Sequence, residues 1–335
     1  MDLALIWAGI LAFAVGMYVV LDGFDLGVGI LFPTGSAGEK NIMINTIAPV
    51  WDGNETWLVL GGGGLFAVFP LAYAIIMPAL YMPLIIMLLA LVFRGVAFEF
   101  RFKTKRGRYI WDWSFFAGSL VAALMQGLML GAILQGIKVE GRAYAGGWFD
   151  WLTPFSIFCA FAVVAGYVAL GSTWLILKTS GPLQDRQYRI AKLSVYVLLG
   201  CIGFASVYLP WAFESIQLRW FSFPNTIVFI LLPIFAAYTA WRLLKALALR
   251  SEKLPYFATI ALFILSGMGF GISIFPYMVP HSVNIWQAAA PDDSLLFLLV
   301  GSAVLIPMIL AYTGYSYWVF RGKLDKANLY HADHV

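Results

Sequence analysis

The stretch Pro49–Gly64, PVWDGNETWLVLGGGG, sets two carboxylates, Asp52 and Glu55, one helical turn apart between two tryptophans. It then enters an apolar run through four glycines. The surrounding chain is apolar for some twenty residues at a time, so ionisable groups here call for an explanation. Two other places share the feature: Asp22 and Asp25 in LDGFDLGVG, and Arg94 with Glu99 in FRGVAFEFR. The expectation is that these three stretches meet in one buried polar site.

Composition decides the class. Of 335 residues, 62% are hydrophobic and 11% charged, which excludes an ordinary soluble domain. The apolar runs reach the roughly 20 residues that a membrane helix needs. Strand alternation with a polar lumen is absent, so helices satisfy the backbone in lipid. The net charge of +4 does not indicate nucleic acid, because the basic residues form short patches between apolar runs. Met1-Asp2 lacks the basic start of a cleavable signal, and the first run is too long for one. Cys159 and Cys201 stand alone in separate apolar segments and read as packing residues. His331 and His334 fall in the last five residues and His281 in a loop, so a chain holding several haems is not expected.

Nine membrane segments are expected: 3–31, 55–73, 79–100, 113–137, 154–177, 193–213, 224–244, 256–278 and 294–320. They divide into four helices carrying the polar site (1–137), four more (154–278), a peripheral ninth (294–320) and a tail (321–335). Pro233 and Pro307 are expected to kink their helices. Only LAYAIIMP separates the second and third segments. Basic clusters follow the third (Arg101, Lys103, Lys105, Arg106, Arg108), fifth (Lys178, Arg186, Arg189, Lys192), seventh (Arg242, Lys245, Arg250, Lys253) and ninth segments (Arg321, Lys323, Lys326). They alternate with poorer loops near Ala143, Ser222 and Pro291. The positive-inside rule therefore puts the clusters in the cytoplasm, the amino terminus outside and the carboxyl terminus inside. All six polar groups then fall in the cytoplasmic leaflet.

A charge at mid-bilayer costs about 2.5–3.5 kcal/mol on the insertion scale, so these carboxylates must be paired, hydrated, protonated or near the headgroups. Asp22 and Asp25 share a helical face, as do Asp52 and Glu55. Arg94 and Glu99 point about 140° apart, so Arg94 is expected to pair with a carboxylate from another helix. Three readings stay open: helix caps and interhelical locks, with Asp52 an N-cap candidate; a proton path through closely spaced carboxylates; and a site for a metal cation, with which Arg94 would compete. Gly61–Gly64 lack the Lys-Ser/Thr of a phosphate loop and suit close helix packing. Gln126 and Gln135 read as interhelical hydrogen-bond donors, the many tryptophans and tyrosines as interfacial anchors, and Glu214 and Arg219 as solvated loop groups.

Together, LDGFDLGVGIL, IAPVWDGNETWLVLGGGGLFAVFP and FRGVAFEFR resemble subunit II of the cytochrome bd-type quinol oxidases. The later pieces TPFSIFCAFAVVAGYVALGSTWLILKT and GISIFPYMVP match in order and spacing. The chain's shortness resembles the cyanide-insensitive branch. The acid at Glu99 is often aspartate in relatives. The resemblance implies an all-α, nine-helix subunit in the bacterial inner membrane, paired with a haem-bearing subunit I that oxidises quinol and reduces oxygen to water. It implies no turnover by the isolated chain, haems held in the partner, and room for a structural quinone or a small single-helix accessory subunit. By motif, Asp52 resembles the family's point of proton uptake, and Asp25, Arg94 and Glu99 its supporting shell; Asp22 and Glu55 are added from spacing. The rival readings are a secondary transporter and a scaffold without a proton role.

Overall fold

The computed structural model describes residues 2–104 and 106–324. Lys105, Lys326, His331 and His334 lie outside the described residues, so the expected tail is seen only as far as Leu324. The chain runs α1 (Leu3–Leu31), α2 (Ala37–Ile47), α3 (Trp51–Val68), α4 (Pro70–Ala79), α5 (Tyr81–Lys103) and α6 (Arg108–Gln135). A hairpin, β1 (Val139–Glu140) and β2 (Ala143–Tyr144), leads into α7 (Pro154–Lys178) and α8 (Gly181–Ala212). Then come α9 (Glu214–Phe221), α10 (Asn225–Phe229), α11 (Leu231–Ala248) and α12 (Leu254–Ile274). A second hairpin, β3 (Tyr277–Val279) and β4 (Val283–Asn284), precedes α13 (Ile285–Ala288) and α14 (Asp292–Val319).

Among the described residues, eight helical segments are long and apolar enough to cross a membrane. The ninth crossing is α3. Its 18 residues extend about 27 Å, close to the ~30 Å hydrocarbon core. Asp52, Asn54, Glu55 and the glycines dilute its hydropathy. Its far end is fixed where the Ala290 amide donates to the Val68 carbonyl at 2.8 Å. The second crossing thus ends at Val68 rather than residue 73, and the third begins at Tyr81 rather than residue 79. The short stretch that separates them is the helix α4, with Pro70 in its first turn. Proline needs no amide partner there, and its fixed φ suits a helix start.

Two further elements differ from expectation for local reasons. The seventh crossing is divided at Ile230 into α10 and α11, because Pro233 has no amide to return to the Phe229 carbonyl. Pro307, by contrast, lies within a continuous α14. Residues 214–221 form α9 rather than a solvated loop, and the Arg219 guanidinium lies over the Phe275 ring at 6.0 Å.

One end of the bundle is basic. Arg186 pairs with Glu39 at 2.5 Å, Lys323 with Glu252 at 2.6 Å, and Arg250 with Asp185, which ties the described basic loops into one surface. Burial pushes the Glu39 carboxyl up, but the Ser36 amide and the Arg186 guanidinium outweigh it and hold the group below its ordinary value. That tie therefore persists above the usual glutamate range and loosens as pH falls below it. At the opposite end Asp2 caps α1, accepting from the Leu5 amide at 3.0 Å and from the Trp286 indole at 2.9 Å.

The centre is the crossing of α1 and α7, which allows no side chain between them. A Cβ at Gly27 would fall on the Tyr167 carbonyl, and one at Gly171 on the Gly27 backbone. Small residues let membrane helices approach this closely. The expected role of Gly61–Gly64 is met only in part: Gly64 abuts Leu11 and Gly61 lies near Val15, but Gly62 and Gly63 have nothing within 4 Å. α8, α11 and α12 pack beyond α7, and the apolar stretch of α14 is the least covered of the eight, at 6% buried. Gly27→Leu or Gly171→Leu is expected to separate α1 from α7, exceeding the ~1–3 kcal/mol of ordinary overpacking. The readout is loss of folded protein in detergent size-exclusion profiles, with Gly62→Leu recovered at the normal level.

Candidate proton site at the basic end of the first three spans

Helical spacing puts Asp22 and Asp25 on one face of α1, and that face is turned inward. α5 brings Arg94 against it, and α3 brings Asn54 and Glu55. Gly118 of α6 makes the approach feasible, since a Cβ there would come within 2.6 Å of the Ala90 carbonyl and 3.1 Å of Arg94. Arg94 Nη1 donates to Asp22 Oδ1 at 2.8 Å and to Glu55 Oε1 at 2.6 Å, while Nη2 stands 3.9 Å from Asp25 Oδ2. The side chains of Arg94, Asp22 and Asp25 are 0% exposed; that of Glu55 is 24% exposed and forms the cluster's outward edge. Trp51 stacks on Phe98 at 4.7 Å beside it.

Arg94 therefore pairs across helices and not with Glu99, as the angle between them demands. Asp52 and Glu99 are not in the cluster. Asp52 is exposed in the first turn of α3, whose N-cap is Val50, so the capping role is corrected. Asp52 and Glu55 differ in exposure because 300° of helical rotation leaves them some 60° apart, enough to put one beyond the packed face. Glu99 is 63% exposed and pairs with Lys103, one turn on, at 3.1 Å. The position that a bound metal cation would occupy among the carboxylates is held by the guanidinium. Among the described residues no group of three or more metal-ligating side chains is arranged to hold an ion.

The surrounding polar residues were mostly silent in the sequence. Asn54, 1% exposed, donates to Asp25 Oδ2 at 2.7 Å and accepts from the Tyr317 hydroxyl at 2.9 Å. Gln126 joins three helices, donating to Tyr18 at 2.9 Å and accepting from Tyr167 at 2.5 Å. Gln135 is an acceptor, bonded by Thr153 at 2.5 Å. Tyr18, Trp57 and Tyr167 are buried rather than interfacial. Arg101 is 2% exposed and not a solvated loop charge; it bonds Asp112 at 2.7 Å and Asn41 at 2.8 Å, and Lys40 reaches Asp112 at 3.0 Å. The one available signal was Asp112, an acid just beyond a run of five basic residues.

Removing the only guanidinium among three carboxylates leaves buried charge without a counter-ion. Arg94→Gln is expected to destabilise the fold by about 3–5 kcal/mol, the usual cost of breaking a buried pair from one side. Thermal unfolding in detergent checks this, with Arg94→Lys retaining part of the loss.

A family model described as cytochrome bd terminal oxidase subunit II matches residues 3–320. Cytochrome bd-I ubiquinol oxidase subunit 2 of Escherichia coli strain K12 is 32% identical over 355 residues, covering 93% of this chain and 92% of that one. Cytochrome bd ubiquinol oxidase subunit 2 of Bacillus subtilis strain 168 is 30% identical over 326 residues, covering 92% and 93%. A solved bd oxidase structure from Geobacillus thermodenitrificans shares the fold, with a TM-score of 0.70 at 16% identity over 95% of this chain and 99% of that one. By the family match and by identity over nearly its whole length, the chain belongs to the cytochrome bd terminal oxidase subunit II family.

Proposed function

We propose that this chain is the second subunit of a membrane quinol:oxygen oxidoreductase, paired with a haem-bearing subunit I, and that it carries cytoplasmic protons towards the reduction of oxygen to water. Family membership supports the enzyme class. The observation that carries the proton role is the ratio of charges in the cluster: three carboxylates face one guanidinium, and two of the three are 0% exposed. Fully ionised, the group would hold two negative charges in excess in a medium where each unpaired ion costs several kcal/mol. Binding a proton relieves that cost, so the cluster takes up and releases protons.

The route follows from exposure. Asp52 and Glu99, exposed at the basic end, collect protons at the cytoplasmic surface. Glu55 lies one turn inside Asp52 and touches Arg94. Asp22 and Asp25 are the buried acceptors. The positive-inside rule supports this orientation, with the amino terminus outside and residues 1–137 as the proton-carrying half. The donor set here does not suit haem. Among the described residues His281 is the one histidine, and it sits in the β3–β4 hairpin with its ring 5.4 Å from that of Phe213. The haems are accordingly assigned to subunit I, and no step is routed through them in this chain. A structural quinone, the quinol substrate and a small accessory helix belong to the complex as the resemblance describes it.

A secondary transporter would place its polar groups near mid-membrane, on broken helices of both halves. This cluster lies at one end and in the first three crossings. A scaffold role is separated by mutation. Asp52→Asn in the assembled oxidase is expected to keep the normal haem spectrum while oxygen uptake falls about tenfold or more. Native turnover in that variant removes Asp52 from the route, and loss of haem returns it to a structural role.

A further inference from the structure

Asn54 presents donors along one edge of its amide and an acceptor on the other. Nδ2 donates to Asp25 Oδ2 at 2.7 Å and to the Leu21 carbonyl at 3.3 Å. Oδ1 accepts from the Tyr317 hydroxyl at 2.9 Å. Which way the amide faces is thus decided by its neighbours: a carboxylate and a backbone carbonyl can only accept, and Tyr317 supplies the proton to the other edge. Tyr317 comes from the far end of the chain, on the peripheral α14. Its ring lies edge-on to Phe24 and Trp174, with centroids 6.4 and 6.2 Å away. The end of α14 is held in place by Lys178, whose ammonium donates to the Phe320 and Gly322 carbonyls. The Leu324 amide returns a bond to the Lys178 carbonyl at 2.8 Å.

We infer that Tyr317 is a positioning residue of the proton site, its hydroxyl fixing the Asn54 amide with the donor edge towards Asp25, so that the last helix takes part in how Asp25 exchanges protons. The inference rests on the proton-path reading above. Asp25 is faced by Asp22 on its own helix, by Asn54 and Glu55 of α3, by Arg94 of α5, by Tyr256 of α12 and by Tyr317 of α14. On α7, Trp174 stacks on Phe24 and does not titrate. Arg94 and Asn54 are the groups that aim donors at Asp25. Without the Tyr317 hydroxyl the amide loses one of the three bonds that hold its facing and its oxygen is left buried without a donor, so the donor edge is held less firmly towards Asp25, which disfavours the charged carboxyl.

The test is Tyr317→Phe in the assembled oxidase, with oxygen uptake measured from about pH 5 to about pH 9 and haem content read from the optical spectrum. The ring packing is kept, so haem content stays normal. The pH profile of turnover moves to higher pH by about one unit, the scale of a lost hydrogen bond to a charged group. Tyr312→Phe, 68% exposed on the same helix, leaves the profile in place. Asn54→Leu removes the donor itself and moves the profile in the same direction; it decides the matter if Tyr317→Phe fails to assemble. An unmoved profile in either assembled variant overturns the inference. Asp25→Asn separates the two failures. If it turns over normally, the proton-path reading falls; if it slows while Tyr317→Phe behaves as native, only the positioning role falls.

Discussion

Arg94, itself closed to solvent, carries oxygens of Asp22 and Glu55 at 2.8 and 2.6 Å, and the first three crossings are arranged around that contact. A guanidinium suits this position because it is planar, always charged and offers several donors from one centre. A lysine would supply a single point of charge. The contact sets the rotation of α1, α3 and α5 about their own axes, since each must turn its polar position to the same point. It also sets their depth, because the three groups come from different heights along their helices.

Such a contact requires the helix backbones to come close, and glycine supplies that where charge cannot. Gly118 admits Arg94 to the α6 side, and the pair Gly27 and Gly171 brings α7 against α1 just beyond Asp25. The tight packing and the polar site are therefore neighbours on α1. LDGFDLGVG carries both functions: Gly23 and Gly27 are turned to α7, while Asp22 and Asp25 face another side, shared with Gly29 against Ser119 of α6. The function proposed for the subunit depends on the same arrangement. On that proposal, a proton is shared among the three carboxylates because they are held within reach of a single cation.

Apart from α3, the described crossings were legible because each is a long apolar run, and α1 and α7 start at the residues expected. Arg94 avoiding Glu99 was legible too, since it needs only the helical angle. The facing of Asp52 and Glu99 was not: rotation of a helix relative to its neighbours is a tertiary quantity, and three-residue spacing does not report which side of the face is packed. Arg101 was read as a loop charge because burial at a helix end leaves no mark in a basic run. Asn54 and Tyr317 are 263 residues apart, and neither is ionised at neutral pH, so nothing in the sequence links them. α4 was missed because its first four residues were assigned to the second crossing and most of the rest to the short link before the third.

The grip of Lys178 on the carbonyls that follow α14 has a consequence for biogenesis. The final crossing leaves the ribosome after every other, and until it docks, the Asn54 oxygen and the Lys178 ammonium both lack the partners they have in the finished bundle. The described bundle is thus closed by the crossing made after the other described ones. A nascent subunit short of that helix exposes unmatched polar groups to lipid, a difference that quality-control proteases could sense before the oxidase is put together.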